Sequence, residues 1–216
     1  MKPTISDDEV GLRRNSEPDI PDSPLKTVHF RWTGLAPLVM SNVRGVDPDD
    51  PLVIEIKKLT DKKAKDTDTR QRITRMEWEL SAYWDPKLGF YIPAENIEAA
   101  LREGGAKSKK GKKIQAGAFV SGSQIPFLNQ KYKTLDQAFA DPAYRLRCAV
   151  RLPPRTGARV MKTRCRMPVG WVLEFTVECH PTIDESVLEE AAEQCGLFVG
   201  LSNWRPKNGR FTSEIL

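Results

Sequence analysis

The stretch Trp171-Val172-Leu173-Glu174-Phe175-Thr176-Val177-Glu178-Cys179-His180-Pro181 alternates. Trp171, Leu173, Phe175, Val177 and Cys179 share one side, and Glu174, Thr176, Glu178 and His180 share the other. A period of two predicts a strand with one face in a core and one in water, as in an antiparallel sheet covered on a single side. Its wet face is too acidic for a base-stacking platform. Beyond Pro181, Thr182 and Glu185 have the spacing of a capping box, and Ile183, Val187, Leu188, Ala191, Ala192 and Cys195 follow helical spacing to about Val199. Gly200 closes that helix, and a loop from Ser202 to Phe211 leads into a short terminal strand.

Upstream, Lys26–Trp32 predicts a first strand, with Val28, Phe30 and Trp32 on one face, broken by Gly34-Leu35-Ala36-Pro37. A turn-rich loop, Gly45–Pro51, precedes helical segments at 52–59 and 68–79, and residues 83–91 read as a hairpin. Trp78, Tyr83 and Trp84 are expected in the core. Pro93–Arg102 carries the marks of a helix, with Pro and acids early, Arg102 late and Gly104-Gly105 as terminator. The run Lys107-Ser108-Lys109-Lys110-Gly111-Lys112-Lys113 repels itself and is expected to stay mobile until an anion neutralises it. Strands resume at 116–120, and a short helix fits 135–140. From Arg145 a strand sets Arg145, Arg147 and Arg151 opposite Leu146, Cys148, Val150 and Leu152. Residues 159–166 place Lys162, Arg164 and Arg166 together, and the two strands would pair around Pro153–Gly157. This order predicts an α+β fold, a ferredoxin-like (RRM-like) sandwich with an inserted basic β-ribbon and flexible loops.

The 216 residues are 39% hydrophobic and 29% charged, enough for one core, and contain no apolar run of membrane-spanning length. Residues 1–24, rich in acids, serine and proline, predict a disordered acidic arm ahead of a single domain over 25–216 with a basic insertion around 105–166. No apolar leader follows Met1, so a cytoplasmic protein is expected. Cys148, Cys165, Cys179 and Cys195 lack zinc or disulfide spacing and read as reduced thiols. Net charge is −3 over residues 1–24, 0 over 25–101, +13 over 102–166 and −5 over 167–216. The concentration of charge in the third block points to a polyanion, because each Lys or Arg that neutralises a phosphate releases counterions. Alternate strand residues recur about every 6.7 Å, near the phosphate spacing of an extended single strand, so each basic row suits a phosphate ladder.

Three segments carry a resemblance: Trp32-Thr33-Gly34-Leu35-Ala36-Pro37-Leu38, Tyr91-Ile92-Pro93-Ala94-Glu95-Asn96-Ile97-Glu98-Ala99-Ala100-Leu101-Arg102, and the loop from Gly200 to Phe211. Together they resemble the RAMP superfamily of CRISPR proteins, especially its crRNA-binding backbone subunits, and compact stand-alone relatives encoded by tailed phages. The resemblance implies single-stranded RNA or DNA as partner, RNA favoured, with copies assembling as a homo-oligomer along the strand. It points to Asn96 and Arg102 at the helix, to Lys107, Lys109, Lys110, Lys112 and Lys113, to the ribbon, and to Trp204, Arg205, Lys207 and Arg210 in the late loop. Charge counting selects most of these independently.

No nucleophile elbow, phosphate-binding loop or paired-carboxylate metal motif occurs, so a binder without cofactor is expected rather than an enzyme. Two alternatives remain. One is a protein-interaction factor that docks on or mimics a CRISPR or replication component. The other is a metal-dependent ribonuclease using Asp47, since some RAMP subunits cut RNA with an aspartate in the loop after the first strand and Asp47, Asp49 and Asp50 fall in a comparable loop.

Overall fold

Strand β1 (Lys26–Gly34) lies inside the main sheet because its alternation buries Val28, Phe30 and Trp32 and leaves His29 and Arg31 in water. The computed structural model describes residues 25–61, 63–151, 157 and 159–216. The acidic arm and most of the ribbon's turn lie outside them. Along the chain β1 is followed by β2 (Leu38–Val39), α1 (Pro51–Thr60), α2 (Thr67–Ser81), β3 (Trp84–Asp85), β4 (Gly89–Pro93) and α3 (Ala94–Lys107). Then come α4 (Gly111–Gly117), β5 (Ala118–Val120), β6 (Gln124–Pro126), α5 (Leu135–Ala140), β7 (Arg145–Arg151), β8 (Arg159–Met167), β9 (Val172–Cys179), α6 (Glu185–Gln194) and β10 (Phe211–Ile215).

The main sheet has the order β10-β1-β9-β5, every neighbouring pair antiparallel. With α3 between β1 and β5 and α6 between β9 and β10, this is the βαββαβ arrangement of a ferredoxin-like sandwich. Phe175, Val177 and Leu173 meet Ile97, Leu101, Leu188 and Ala192 in the core, while Trp32 stacks on Phe211 at 4.0 Å and meets Phe175 edge-on at 4.8 Å. The opposite face is open and acidic. There Arg31 bonds Glu174 at 2.6 Å and opposes Glu214 across the strands, and Glu178 accepts from Ser121.

The insertions form a second layer. Sheet β2-β8-β7 carries the ribbon, β3-β4-β6 closes one side, and α2 packs against β8. Trp78 is fully buried and its indole donates to the Tyr144 carbonyl at 2.8 Å; Tyr83 is buried and Trp84 packs on the core.

Four local expectations change. Helix α3 continues through Gly104-Gly105 because the missing side chain of Gly104 admits the α6 backbone at Ala191 and the turn that follows it at Cys195. The lysine run is folded: Ile114 is buried, Gly111–Gly117 is helical, Lys110 pairs with Glu190 at 3.0 Å and Lys113 donates to the Thr182 carbonyl at 2.7 Å. Thr182 makes no capping box, its hydroxyl bonding His180 Nδ1 at 2.8 Å while Asp184 takes the cap position. The last helix ends at Gln194 in a π-helical turn, Cys195–Val199, which leaves Leu197 and Phe198 exposed.

Candidate nucleic-acid interface

The ribbon forms because strands with the same two-residue period present complementary edges, and its register decides where each cation points. Arg145, Arg147 and Arg151 face Cys165, Thr163 and Arg159, whereas Lys162 and Arg164 face Cys148 and Leu146. Directly opposed residues share a face, so the two basic rows lie on opposite sides of the ribbon. Arg147 is exposed. Arg145 lies 4.8 Å from the Phe139 ring centre, a cation–π contact, and its Nε is buried without a hydrogen-bond partner among the described residues. The Arg151 side chain lies outside the described residues. On the second row Arg164 donates to the Ser41 hydroxyl at 2.7 Å, Arg166 to the Ala143 carbonyl at 3.0 Å, and Lys162 pairs with Glu77 at 2.7 Å.

Helix α2 closes the β8 edge that short β2 leaves unpaired. Glu77 accepts the Thr163 N–H at 3.0 Å, and the Ser81 hydroxyl accepts the Cys165 N–H at 2.7 Å. Two clefts of about 330 and 340 Å³ open beside this contact and share Thr60, Glu77, Lys162 and Thr163. Among the described residues their cations are Lys57, Lys65, Arg70, Arg147, Lys162 and Arg164 and their one carboxylate is Glu77, already held by Lys162 and Thr163. Lys57, Lys65 and Arg70 are absent from the sequence-based selection. The signal was present: residues 57–72 hold seven cations against three acids, and Asp66 is consumed in capping α2 through the Thr69 N–H at 2.7 Å. The zero charge of the surrounding block concealed it.

The remaining selected residues fall on the α3–α6 layer. Arg102 lines a small pocket with Glu95 and Glu98, Lys107, Lys109 and Lys112 are exposed, and Lys110 and Lys113 are engaged as described. Asn96 donates to the Tyr83 phenol at 3.4 Å, and Tyr83 donates to the Ser41 carbonyl at 3.0 Å. Ser41 thus joins Asn96 to Arg164, one selected residue in each layer. Burial pushes the Tyr83 phenol up, against the opposing hydrogen bond from Asn96, so it stays a donor at neutral pH.

In the late loop Arg205 pairs with Glu103 of α3 at 3.2 Å, half-buried Trp204 lines an open groove with Lys107 and Phe198, and Lys207 and Arg210 are exposed. Ser202 and Trp204 hold left-handed backbones, φ 67° and 55°. Hydrogen bonds draw the first and third resembling segments together: Leu35 N–H to the Arg210 carbonyl at 2.8 Å, Gly209 N–H to Pro37 at 2.8 Å and, just beyond the first, Asn203 N–H to Val39 at 3.1 Å. Gly209 is buried at φ 75°, and a Cβ there would strike the Leu201 backbone.

The Asp47 loop is occupied with its own backbone. Asp47 accepts the Asp49 N–H at 3.0 Å, and Asp50 caps α1. Among the described residues no group of three or more His, Cys, Asp or Glu is placed to hold a metal ion. Among them, too, no helix is long and apolar enough to cross a membrane.

No protein-family model matches the sequence, and no curated protein matches it. Among solved structures, a chain of the cryo-EM structure of the Type III-B Cmr-beta bound to cognate target RNA is similar at 10% identity and a TM-score of 0.40. The match covers 89% of this chain and 61% of that one, so the chain spans about three fifths of its neighbour's length.

Proposed function

We propose that this protein binds single-stranded nucleic acid, RNA in preference to DNA, as a divergent RAMP-like subunit of the cytoplasm, with copies assembling along the strand. The observation that carries this reading is the contrast between two surfaces. Among the described residues the clefts beside the ribbon hold six cations and one carboxylate, while the open face of the main sheet carries Glu174, Glu178 and Glu214 against Arg31. A polyanion is drawn to the first and repelled by the second. The preference for RNA rests on the three resembling segments, the first and third of which meet around Pro37, Gly209 and Arg210.

Fluorescence anisotropy with matched 30-nucleotide single-stranded RNA, single-stranded DNA and duplex DNA tests the reading. The expected result is binding to single strands whose affinity falls by about 0.7 log units per log unit of salt for each phosphate neutralised. Light scattering should show stoichiometry rising with strand length. Absence of binding at low salt overturns the reading and turns the basic surface into a docking site for an acidic protein.

A further inference from the structure

We propose that the two adjoining clefts between the α1–α2 hairpin and the β7–β8 ribbon seat the strand's phosphates, and that Glu77 competes with those phosphates for Lys162. The inference rests on the single-strand reading above and deepens it.

The α2 side chains close the β8 edge as a partner strand would, and a neutral acceptor at position 77 would satisfy the Thr163 N–H equally well. A carboxylate there does something more: one oxygen takes Thr163 N–H at 3.0 Å and the other takes the Lys162 ammonium at 2.7 Å. An amide and an ammonium converging on two anionic oxygens are the donors a phosphate group also uses. Among the described residues no other carboxylate lines either cleft. Lys57 is exposed in the first cleft and Arg70 and Arg147 in the second, none of them in an ion pair among the described residues. Concave walls of one sign focus the field on an entering anion. Phosphates entering there gain Lys57 in the first cleft and Arg70 and Arg147 in the second, and draw Lys162, which lines both, from Glu77, while Thr163 N–H stays on the carboxylate. Glu77 therefore lowers affinity and keeps Lys162 ordered in the free protein.

The experiment uses the full chain, single-stranded RNA and DNA, and two variants. Glu77→Gln keeps an acceptor for Thr163 N–H and frees Lys162. It is expected to bind at least threefold more tightly at low salt, because Lys162 no longer has to leave a carboxylate. Lys57→Glu/Arg70→Glu changes only exposed side chains and is expected to weaken binding more than tenfold, with the slope shallower by about 1.4. Circular dichroism and unfolding midpoints verify that each variant is folded. If the wild type binds but Lys57→Glu/Arg70→Glu binds as well as it does, the clefts are not the seat. If Glu77→Gln binds no more tightly, the competition is absent. Failure of the wild type to bind any strand instead removes the function reading, and the clefts with it.

Discussion

Asp50 shows how one side chain can be wholly spent on structure. Its carboxylate accepts the Leu52 N–H at 2.9 Å, ending the run of free amides at the start of α1, and takes Arg44 Nε at 2.8 Å. Burial works to raise its pKa, but the Arg44 hydrogen bond and the Leu52 and Val53 amides outweigh it and hold the group below 3.8. Because the folded value is the depressed one, this stabilisation is complete above pH 3.8 and is lost as pH falls through the folded value. Asp50→Ala should therefore cost about 1–2 kcal/mol at neutral pH by urea unfolding. That gap should narrow when the same comparison is made at about pH 3.

At the scale of the element, the crossing of α3 on α6 depends on glycine where helix propensity disfavours it. A Cβ on Gly104 would meet the Ala191 carbonyl oxygen and stand 2.8 Å from Cys195 Cβ, both fixed to the α6 backbone. A Cβ on Gly105 would instead meet the end of the Ile114 side chain at 2.5 Å, which can turn aside. Adjacent glycines should thus respond differently. Gly104→Ala is expected to lose about 1–3 kcal/mol through overpacking. Gly105→Ala should fall within about 1 kcal/mol of wild type, its gain in helix propensity offsetting the repacking. Thermal unfolding of the two variants side by side reads the difference. The same pair shows what a sequence conceals, since Gly-Gly after a helical stripe has the local form of a terminator and only the presence of α6 makes it a crossing point.

Across the whole molecule, charge is sorted by surface rather than by segment. Lys57, Lys65 and Arg70 come from a block of zero net charge, yet they join Arg147, Lys162 and Arg164 of the basic block in two clefts that share Lys162. The open sheet face, where an RRM-like fold would be expected to stack bases, is acidic and carries Phe119, 44% exposed, at the β5 edge. Substituting Arg31→Ala or Phe119→Ala should accordingly leave single-strand affinity within twofold of wild type in the anisotropy assay. A tenfold loss in either would move the binding surface to the sheet.

The sequence by itself determined the strands β1, β9 and β10, the core stripes of α3 and α6, the pairing of the two basic strands and hence the ferredoxin-like order. Each rests on a period of two or 3.6 that neighbouring residues impose. Tertiary structure alone decided that the basic rows take opposite faces, because register depends on which residues meet across the ribbon. It also decided that the lysine run folds, because Ile114 and the partners of Lys110 and Lys113 lie on distant segments. The cationic clefts belong to the same class: α2 and β8 are about eighty residues apart in the chain, and their juxtaposition at Glu77, Lys162 and Thr163 has no local signature.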